Sequence, residues 1–215
     1  MKILHLFADD GVEAEPLSAY GDVYRAGIDP RESEFTHELA TVDLMNDVPP
    51  WPRDFDLVFA HPNCRPHTNA PSADPGEVQI PRARDLCREW ADEYVIENQP
   101  GAPLHAPPGG SLVTLTGDMF GLPVEYARSF ECSYDVEEPP RTRQPPKHRV
   151  ENTRPKDYWK SIKGVTGDYR SQQLILSGTP STYVHHLIRP LLTGYEPRRS
   201  ERQIPLTVDA EGGSQ

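Results

Sequence analysis

The sequence contains few cysteines, no long apolar run and no overall excess of basic residues. Its three cysteines are an odd number spread widely, which excludes a disulfide scaffold and favours a reducing compartment. No stretch approaches the roughly 18 apolar residues that a membrane-spanning helix needs. Residues 1–7 lead into acidic sequence without a small-residue cleavage pattern, so we expect no signal peptide. These features predict a cytoplasmic protein without a membrane partner.

The 215 residues carry a formal net charge of -11, and 36% of them are hydrophobic. This length suits one domain with its own core, and the 24 prolines suggest long surface loops. The acidic total argues against a protein that coats nucleic acid indiscriminately, and is also typical of adaptation to high salt.

One segment reverses the sign of the charge. Residues 141–170 hold nine basic and three acidic side chains, which gives +6 there and leaves -17 elsewhere. This pattern is expected if one face binds phosphates, although a solvated loop has the same composition. The basic residues are Arg141, Arg143, Lys147, Arg149, Arg154, Lys156, Lys160, Lys163 and Arg170.

Short apolar segments alternate with helical patterns, which predicts an α/β fold with a mostly parallel sheet flanked by helices. Residues 81–92 predict a helix, because apolar side chains recur at steps of three and four. The segment 137–155 is predicted to be a loop. The tail after Arg198 is predicted to be disordered. The predicted strands are 2–7, 21–28, 38–43, 55–60 and 94–97.

Reactive side chains follow two of the predicted strands. The turn His-Pro-Asn-Cys-Arg (residues 61–65) comes directly after strand 55–60, where basic neighbours favour the thiolate form of Cys64. Glu97 and Asn98 end the next strand. Since carboxyl ends of parallel strands share one edge, we expect a nucleophile and a proton donor to face each other. That pair suits attack on an electron-poor ring carbon.

Each of these features also has a purely structural interpretation. A lone cysteine after a strand is more often a packed residue, and a Glu-Asn pair is often a helix cap. We interpret Cys87 and Cys132 as packed cysteines. No Cys/His spacing indicates zinc, because the adjacent His185 and His186 diverge on any regular element.

The order of these motifs resembles the cytosine-5 DNA methyltransferases, particularly the short forms common in phage genomes. The resemblance runs from residue 1 to about residue 192 and comprises five segments. They are the first strand ending at Phe7, the turn at Cys64, the Glu97-Asn98 segment, the Met-Phe-Gly and Phe-Glu blocks within 115–131, and a late motif at 177–183. It implies a class I S-adenosylmethionine-dependent methyltransferase (Rossmann-like) fold in a prokaryotic or virus-encoded protein.

The resemblance also implies residue roles in methyl transfer from S-adenosylmethionine to cytosine C5 of double-stranded DNA. The target base would be flipped out of the duplex. Cys64 would attack C6, Glu97 beside Asn98 would contact N3 and the exocyclic amine, and Arg128 would hold the base. Cofactor positions would be Phe7, Asp9, Gly11, Asp29, Asp43 and Pro62. Expected DNA-binding residues are Arg65, Arg141, Arg143, Lys147, Arg149, Lys160 and Lys163.

On this interpretation residues 1–131 and 171–197 form the catalytic domain, and 132–170 form a reduced target-recognition insert. Residues 198–215 would be a disordered tail. The basic stretch of this insert is small for sequence recognition, so either recognition is short and loose or a partner protein supplies further DNA contacts.

The chain departs from the family pattern mainly at the cofactor. Asp9 replaces the first glycine of Phe-x-Gly-x-Gly, where glycine lets the backbone approach the ligand. A carboxylate about 4 Å from the cofactor's own would cost about 4 kcal/mol at an effective dielectric of about 20. Gly27 stands where the ribose-binding acid is expected, with Asp29 two residues later, and Tyr126 replaces the first arginine of Arg-x-Arg.

Three hypotheses therefore remain open. The chain is an active methyltransferase with a divergent loop, or a cytosine-modifying relative that uses another or a modified cofactor. Alternatively, it is a degenerate homologue that binds DNA or a partner without catalysis. The presence of Cys64 and Glu97 favours activity, and the altered cofactor positions favour the degenerate homologue.

Overall fold

A computed structural model describes residues 1–7, 11–67, 76–141 and 154–193. A seven-stranded sheet organises this part of the chain, with strand order β3-β2-β1-β4-β5-β7-β6. The strands are β1 (Lys2–Leu6), β2 (Asp22–Gly27), β3 (Glu38–Thr41), β4 (Phe55–Ala60), β5 (Ala91–Asn98), β6 (Ser111–Leu115) and β7 (Arg128–Cys132). The helices are α1 (Ala14–Ser18), α2 (Ile80–Trp90), α3 (Lys156–Lys163), α4 (Gln172–Ser177) and α5 (Ser181–Leu192).

Five neighbouring strands, from β3 through β5, run parallel, and β7 is antiparallel to both β5 and β6. The prediction of a mostly parallel α/β sheet is confirmed. Because β1, β2, β4 and β5 point the same way, the residues that follow them gather at one edge.

The predicted strands and the first long helix are found close to their expected positions. The strand 55–60 matches β4, while β5 begins at Ala91, three residues earlier than predicted. Helix α2 ends at Trp90 because Ala91 already pairs with Phe55 of β4. The antiparallel β6–β7 pair and the three later helices were not predicted.

Apolar side chains cover both faces of the sheet in two clusters. Trp90, Leu86 and Cys87 of α2 pack on one face, and α5 with Phe130 of β7 packs on the other. The interpretation of Cys87 and Cys132 as packed core cysteines is confirmed, because both are 0% exposed. Burial raises the pKa of both thiols, so they stay protonated and unreactive.

The second half of the predicted DNA-binding insert belongs to this core. Trp159 of α3 is fully buried. Lys163 is also 0% exposed, and its ammonium donates to the backbone oxygens of Leu176 and Gly178 at 3.2 and 2.5 Å. The prediction that Lys163 binds DNA is therefore wrong, because a fully buried side chain cannot reach a phosphate.

Residues that follow α3 are tied to the acidic body. Glu15 of α1 accepts hydrogen bonds from the Thr166 and Gly167 amides and the Tyr169 hydroxyl, and Arg170 forms an ion pair with Asp29. Of the other expected DNA-binding residues, Arg65 and Arg141 are exposed and Lys160 is half-buried. Arg143, Lys147 and Arg149 lie outside the described residues, as does the predicted disordered tail.

Within the described ranges, no helix is long and apolar enough to cross a membrane.

We predict that Trp159→Ala lowers the free energy of unfolding by about 3–5 kcal/mol, because it leaves a large cavity under α3. Trp159→Phe should cost less, since it keeps an aromatic ring. Urea denaturation measures both, with Ser161→Ala on the exposed side of α3 as the matched control. If Trp159→Ala left the free energy of unfolding unchanged, α3 would be only loosely packed against the core.

Candidate active site

The turn that carries Cys64 is fixed between strands β1 and β5. The His61 amide donates to the Leu6 carbonyl at 3.1 Å, which continues the β1–β4 pairing beyond Ala60. The Asn98 side-chain amide donates to the Pro62 carbonyl at 3.1 Å. Cys64 itself is half-buried. The structure thus brings together two segments whose convergence the parallel sheet predicted.

Glu97 is completely buried and lies between two cationic side chains. One carboxylate oxygen, Oε2, is 2.9 Å from His61 Nε2, and the other, Oε1, is 2.8 Å from Arg128 Nε. Neither contact is aligned as a hydrogen bond, so charge attraction dominates. Arg128 also donates to the Gln99 side chain at 3.1 Å. Arg128 and Glu97, which were both predicted to contact the base, are therefore in contact with each other.

Tyr126, which stands in place of an arginine, extends this cluster. Arg128 Nη2 donates to the Tyr126 hydroxyl at 2.7 Å. That hydroxyl lies 2.6 to 3.0 Å from the backbone oxygens of residues 176–178 and can donate its proton to one of them at a time. Burial raises the pKa of Tyr126 well above its usual range, so the phenol stays neutral.

Glu13 and His5 join the cluster from the opposite side. Glu13, 2% exposed, accepts hydrogen bonds from His61 Nδ1 at 3.0 Å and from the Thr179 amide at 2.6 Å. His5 Nε2 of β1 is 3.8 Å from the second Glu13 oxygen. Burial lowers the pKa of His5 to about 3, so this ring is neutral.

His61 therefore lies between two carboxylates. Burial alone would lower its pKa, but the charges of Glu97 and Glu13 raise it well above its usual range. Burial alone would raise the pKa of Glu13, but His61 and the Thr179 amide hold it well below its usual range. At neutral pH the arrangement is an imidazolium bridging two buried carboxylates.

The sequence did not reveal Glu13 or the bridging role of His61. Glu13, His61 and Glu97 lie on three separate segments, and no spacing along the chain connects them. The only available signal was a histidine at the end of an apolar strand, directly before the proline of the nucleophile turn.

The remaining predicted cofactor residues lie along the same edge of the sheet. Phe7 and Gly11 both have positive φ, and a Cβ on Gly11 would meet the Arg25 guanidinium. The Asp43 carboxylate accepts hydrogen bonds from its own loop at 2.7 and 3.1 Å. Asp29 is exposed at the end of β2, and hydrogen bonding from Arg170 lowers its pKa. Asp9 lies outside the described residues.

The described ranges hold no group of three or more His, Cys, Asp or Glu side chains that could bind a metal ion. His185 and His186 contact different partners, the Tyr20 hydroxyl at 2.7 Å and the Glu137 backbone oxygen at 2.8 Å.

No family model and no curated protein matches the chain. Among solved structures, the chain is similar to the S. pombe Dnmt2 methyltransferase with a TM-score of 0.55, at 10% identity over 89% of this chain and 99% of the other. A putative DNA modification methyltransferase from an E. coli prophage gives 0.43 at 15% identity, over 60% of this chain. A putative methylase from Haemophilus influenzae gives 0.34 at 15% identity, over 61% and 78% of the two chains. The chain spans 45% of the E. coli protein.

At these identities the likeness concerns the fold. The similarity to the S. pombe methyltransferase, together with the strand order and the single reversed strand β7, shows that the chain has the class I methyltransferase fold. The predicted fold class is confirmed.

We predict that His5 makes the protein sensitive to acid. Its pKa is lower in the folded chain, so its contribution to stability is full above about pH 6.5 and is lost as pH falls toward 3. Relative to His5→Phe, the wild-type protein should lose roughly 3 kcal/mol of unfolding free energy between pH 6.5 and pH 4. Urea denaturation across this range measures the difference, and a difference independent of pH would refute a buried neutral His5.

Proposed function

We propose that this chain transfers a methyl group from S-adenosylmethionine to C5 of cytosine in DNA, with Cys64 as the covalent nucleophile. The observation that carries the proposal is the junction between the Cys64 turn and β5, made by the Asn98–Pro62 hydrogen bond, with Arg128 against Glu97. Attack on C6 needs a thiolate beside an acid, and these side chains supply both. The class I fold supports the same reaction class.

The donor set at the strand ends fits the proposed cofactor. Asp29 and Asp43 follow β2 and β3 and offer carboxylates to ribose hydroxyls and an adenine amine. Ile28 is 64% exposed beside Asp29 and offers an apolar surface to a ring. When bound, S-adenosylmethionine supplies an electrophilic methyl group, while the residues of this chain bind and orient it. Asp29 must share or exchange its ion pair with Arg170 for this contact.

The flipped base must reach a carboxylate that is covered in the free protein. Glu97 is 0% exposed, so Arg128 or the Cys64 turn moves outward when the base enters. Arg65, Arg141 and Lys160 remain candidate phosphate contacts. Since the whole basic stretch 141–170 is small for sequence recognition, we propose that recognition is short and loose or that a partner protein adds DNA contacts.

A second candidate is a role in DNA or partner binding without catalysis. Two observations favour it, namely the complete burial of Glu97 and the engagement of Asp29 by Arg170. A relative that uses another or a modified cofactor is a third possibility, and it retains the same cysteine chemistry.

We predict that the chain forms a covalent adduct with duplex DNA that contains 5-fluorocytosine when S-adenosylmethionine is present, because fluorine at C5 prevents release of the cysteine. Cys64→Ala should abolish the adduct, and denaturing electrophoresis detects it. Cys87→Ala is the matched control, since Cys87 is buried in α2 away from the strand ends. DNA binding without an adduct would refute catalysis and support the non-catalytic binding role. An adduct that persists in Cys64→Ala would refute the assignment of Cys64 as the nucleophile.

We further predict that Asp29→Ala weakens S-adenosylmethionine binding at least tenfold, because a hydrogen bond to a charged group contributes roughly 1.5–3 kcal/mol. Arg170→Gln should leave the affinity unchanged or raise it, since it frees Asp29. Calorimetry measures both. An equal loss in the two variants would show that the ion pair, not a ribose contact, supports the site.

A further inference from the structure

Glu13, His61 and Glu97 form a line of buried ionisable groups. His61 Nδ1 is 3.0 Å from Glu13 Oε1, and His61 Nε2 is 2.9 Å from Glu97 Oε2. The two carboxylic side chains are 3% and 0% exposed, and the imidazole is 17% exposed. Since burying a charge is costly unless it is paired, this geometry stabilises the imidazolium form.

The contacts of Glu97 leave one source for a mobile proton. Its two oxygens face His61 and Arg128. A guanidinium does not release a proton in proteins, whereas an imidazolium does. Attack of the Cys64 sulfur on C6 of cytosine requires a proton at N3, and of the two side chains that contact Glu97 only His61 can supply one.

We propose that His61 is a positioning residue that holds Glu97 against Arg128 and supplies, through Glu97, the proton that N3 of the base takes. This inference rests on the proposed function, because it assigns a role within the same reaction. Glu13 keeps His61 charged and fixes its orientation through Nδ1, while the Thr179 amide fixes Glu13.

The step balances as follows. The Cys64 sulfur bonds to C6, the C5=C6 electrons form a C4=C5 bond, and the C4=N3 pair moves to N3. Once the entering base turns the carboxylate into line, Glu97 takes the His61 Nε2 proton and passes it to N3. His61 then stays neutral, with its Nδ1–H donated to Glu13. The transfers reverse when the Cys64–C6 bond breaks.

Several ionisable groups surround His61 and contribute to its charge state. Glu13, next to α1, and Glu97, on β5, raise its pKa, and the neutral His5 of β1 approaches Glu13 from behind. The next groups outward are Arg128, Tyr126 and Lys163, which act on Glu97 and Glu13 rather than on His61 directly.

Exchange of the C5 hydrogen of cytosine in heavy water tests this role without a cofactor. Reversible addition of Cys64 makes C5 nucleophilic, so deuterium replaces hydrogen there before the thiolate leaves. At pH 8 we expect His61→Gln to exchange at least 100-fold more slowly than the wild-type protein. The ratio of the two rates should shrink as pH falls to 5.5, since solvent then supplies the proton that His61 supplies at higher pH.

A merely structural role for His61 would lower the rate by the same factor at every pH, and such a flat ratio would overturn the inference while leaving the proposed function intact. Absence of any Cys64-dependent exchange in the wild-type protein would overturn both. His186→Gln on α5 is the matched control and should match the wild-type protein.

Glu13→Gln covers the case in which His61→Gln fails to fold. This variant lacks one of the two carboxylates that contact the His61 ring. The exchange rate should therefore fall as pH rises, and the fall should occur at a lower pH than in the wild-type protein. Nitrogen NMR of the histidine rings gives an independent reading. We expect one ring to stay protonated at both nitrogens at pH 8 and to lose its proton at a lower pH in Glu13→Gln, because one of the two carboxylates that raise its pKa is removed. A neutral His61 ring at pH 7 in the wild-type protein would refute the proposal.

Discussion

The imidazolium of His61 between Glu13 and Glu97 is the interaction on which the rest of the site depends. Two carboxylates inside a core would repel each other and lose their hydration, at a cost of several kcal/mol each. One cation placed between them replaces the repulsion by attraction and offsets the loss of hydration. Because the three groups come from the start of α1, the end of β4 and the end of β5, their pairing also sets how these elements meet.

The buried polar groups around this cluster also need charge or hydrogen-bond partners. Arg128 neutralises the other side of Glu97, and Tyr126 accepts from that arginine. Tyr126 and Lys163 then contact the backbone oxygens of residues 176–178, at the C-terminal end of helix α4. Burial lowers the pKa of Lys163 well below its usual range, so this lysine anchors the chain through hydrogen bonds more than through charge. A segment that looks like a basic DNA-binding loop in sequence is thereby drawn into the core.

The fold was largely predictable, because short apolar strands, a periodic helix and turns after strands reflect local rules. Cys64, Glu97 and Arg128 were identified from motif order. The approach of the Cys64 turn to the end of β5 followed from a parallel sheet, whereas the contact of Arg128 with Glu97 depends on the antiparallel strand β7, which was not predicted. The role of Lys163 was not predictable, since burial of a lysine depends on tertiary partners that composition does not show. Glu13 and His61 were missed for a similar reason, because a charge relay is a property of three distant segments in space.

In the free chain the charged side chains of the site are already paired with one another, and any ligand must compete with these pairs. Glu97 is held by two cations and Asp29 by Arg170, so substrate and cofactor must replace contacts that already exist. The Asp29 pair is exposed to solvent, which screens the attraction, so a ligand can exchange it easily. The Glu97 pairs are buried, and separating one without a replacement costs about 3–5 kcal/mol. In the proposed reaction, cytosine would meet that cost by presenting its own N3 and amine to the carboxylate. The buried cluster would therefore open for a base with that hydrogen-bonding edge and stay closed to thymine, whose N3 carries a hydrogen and whose C4 carries an oxygen.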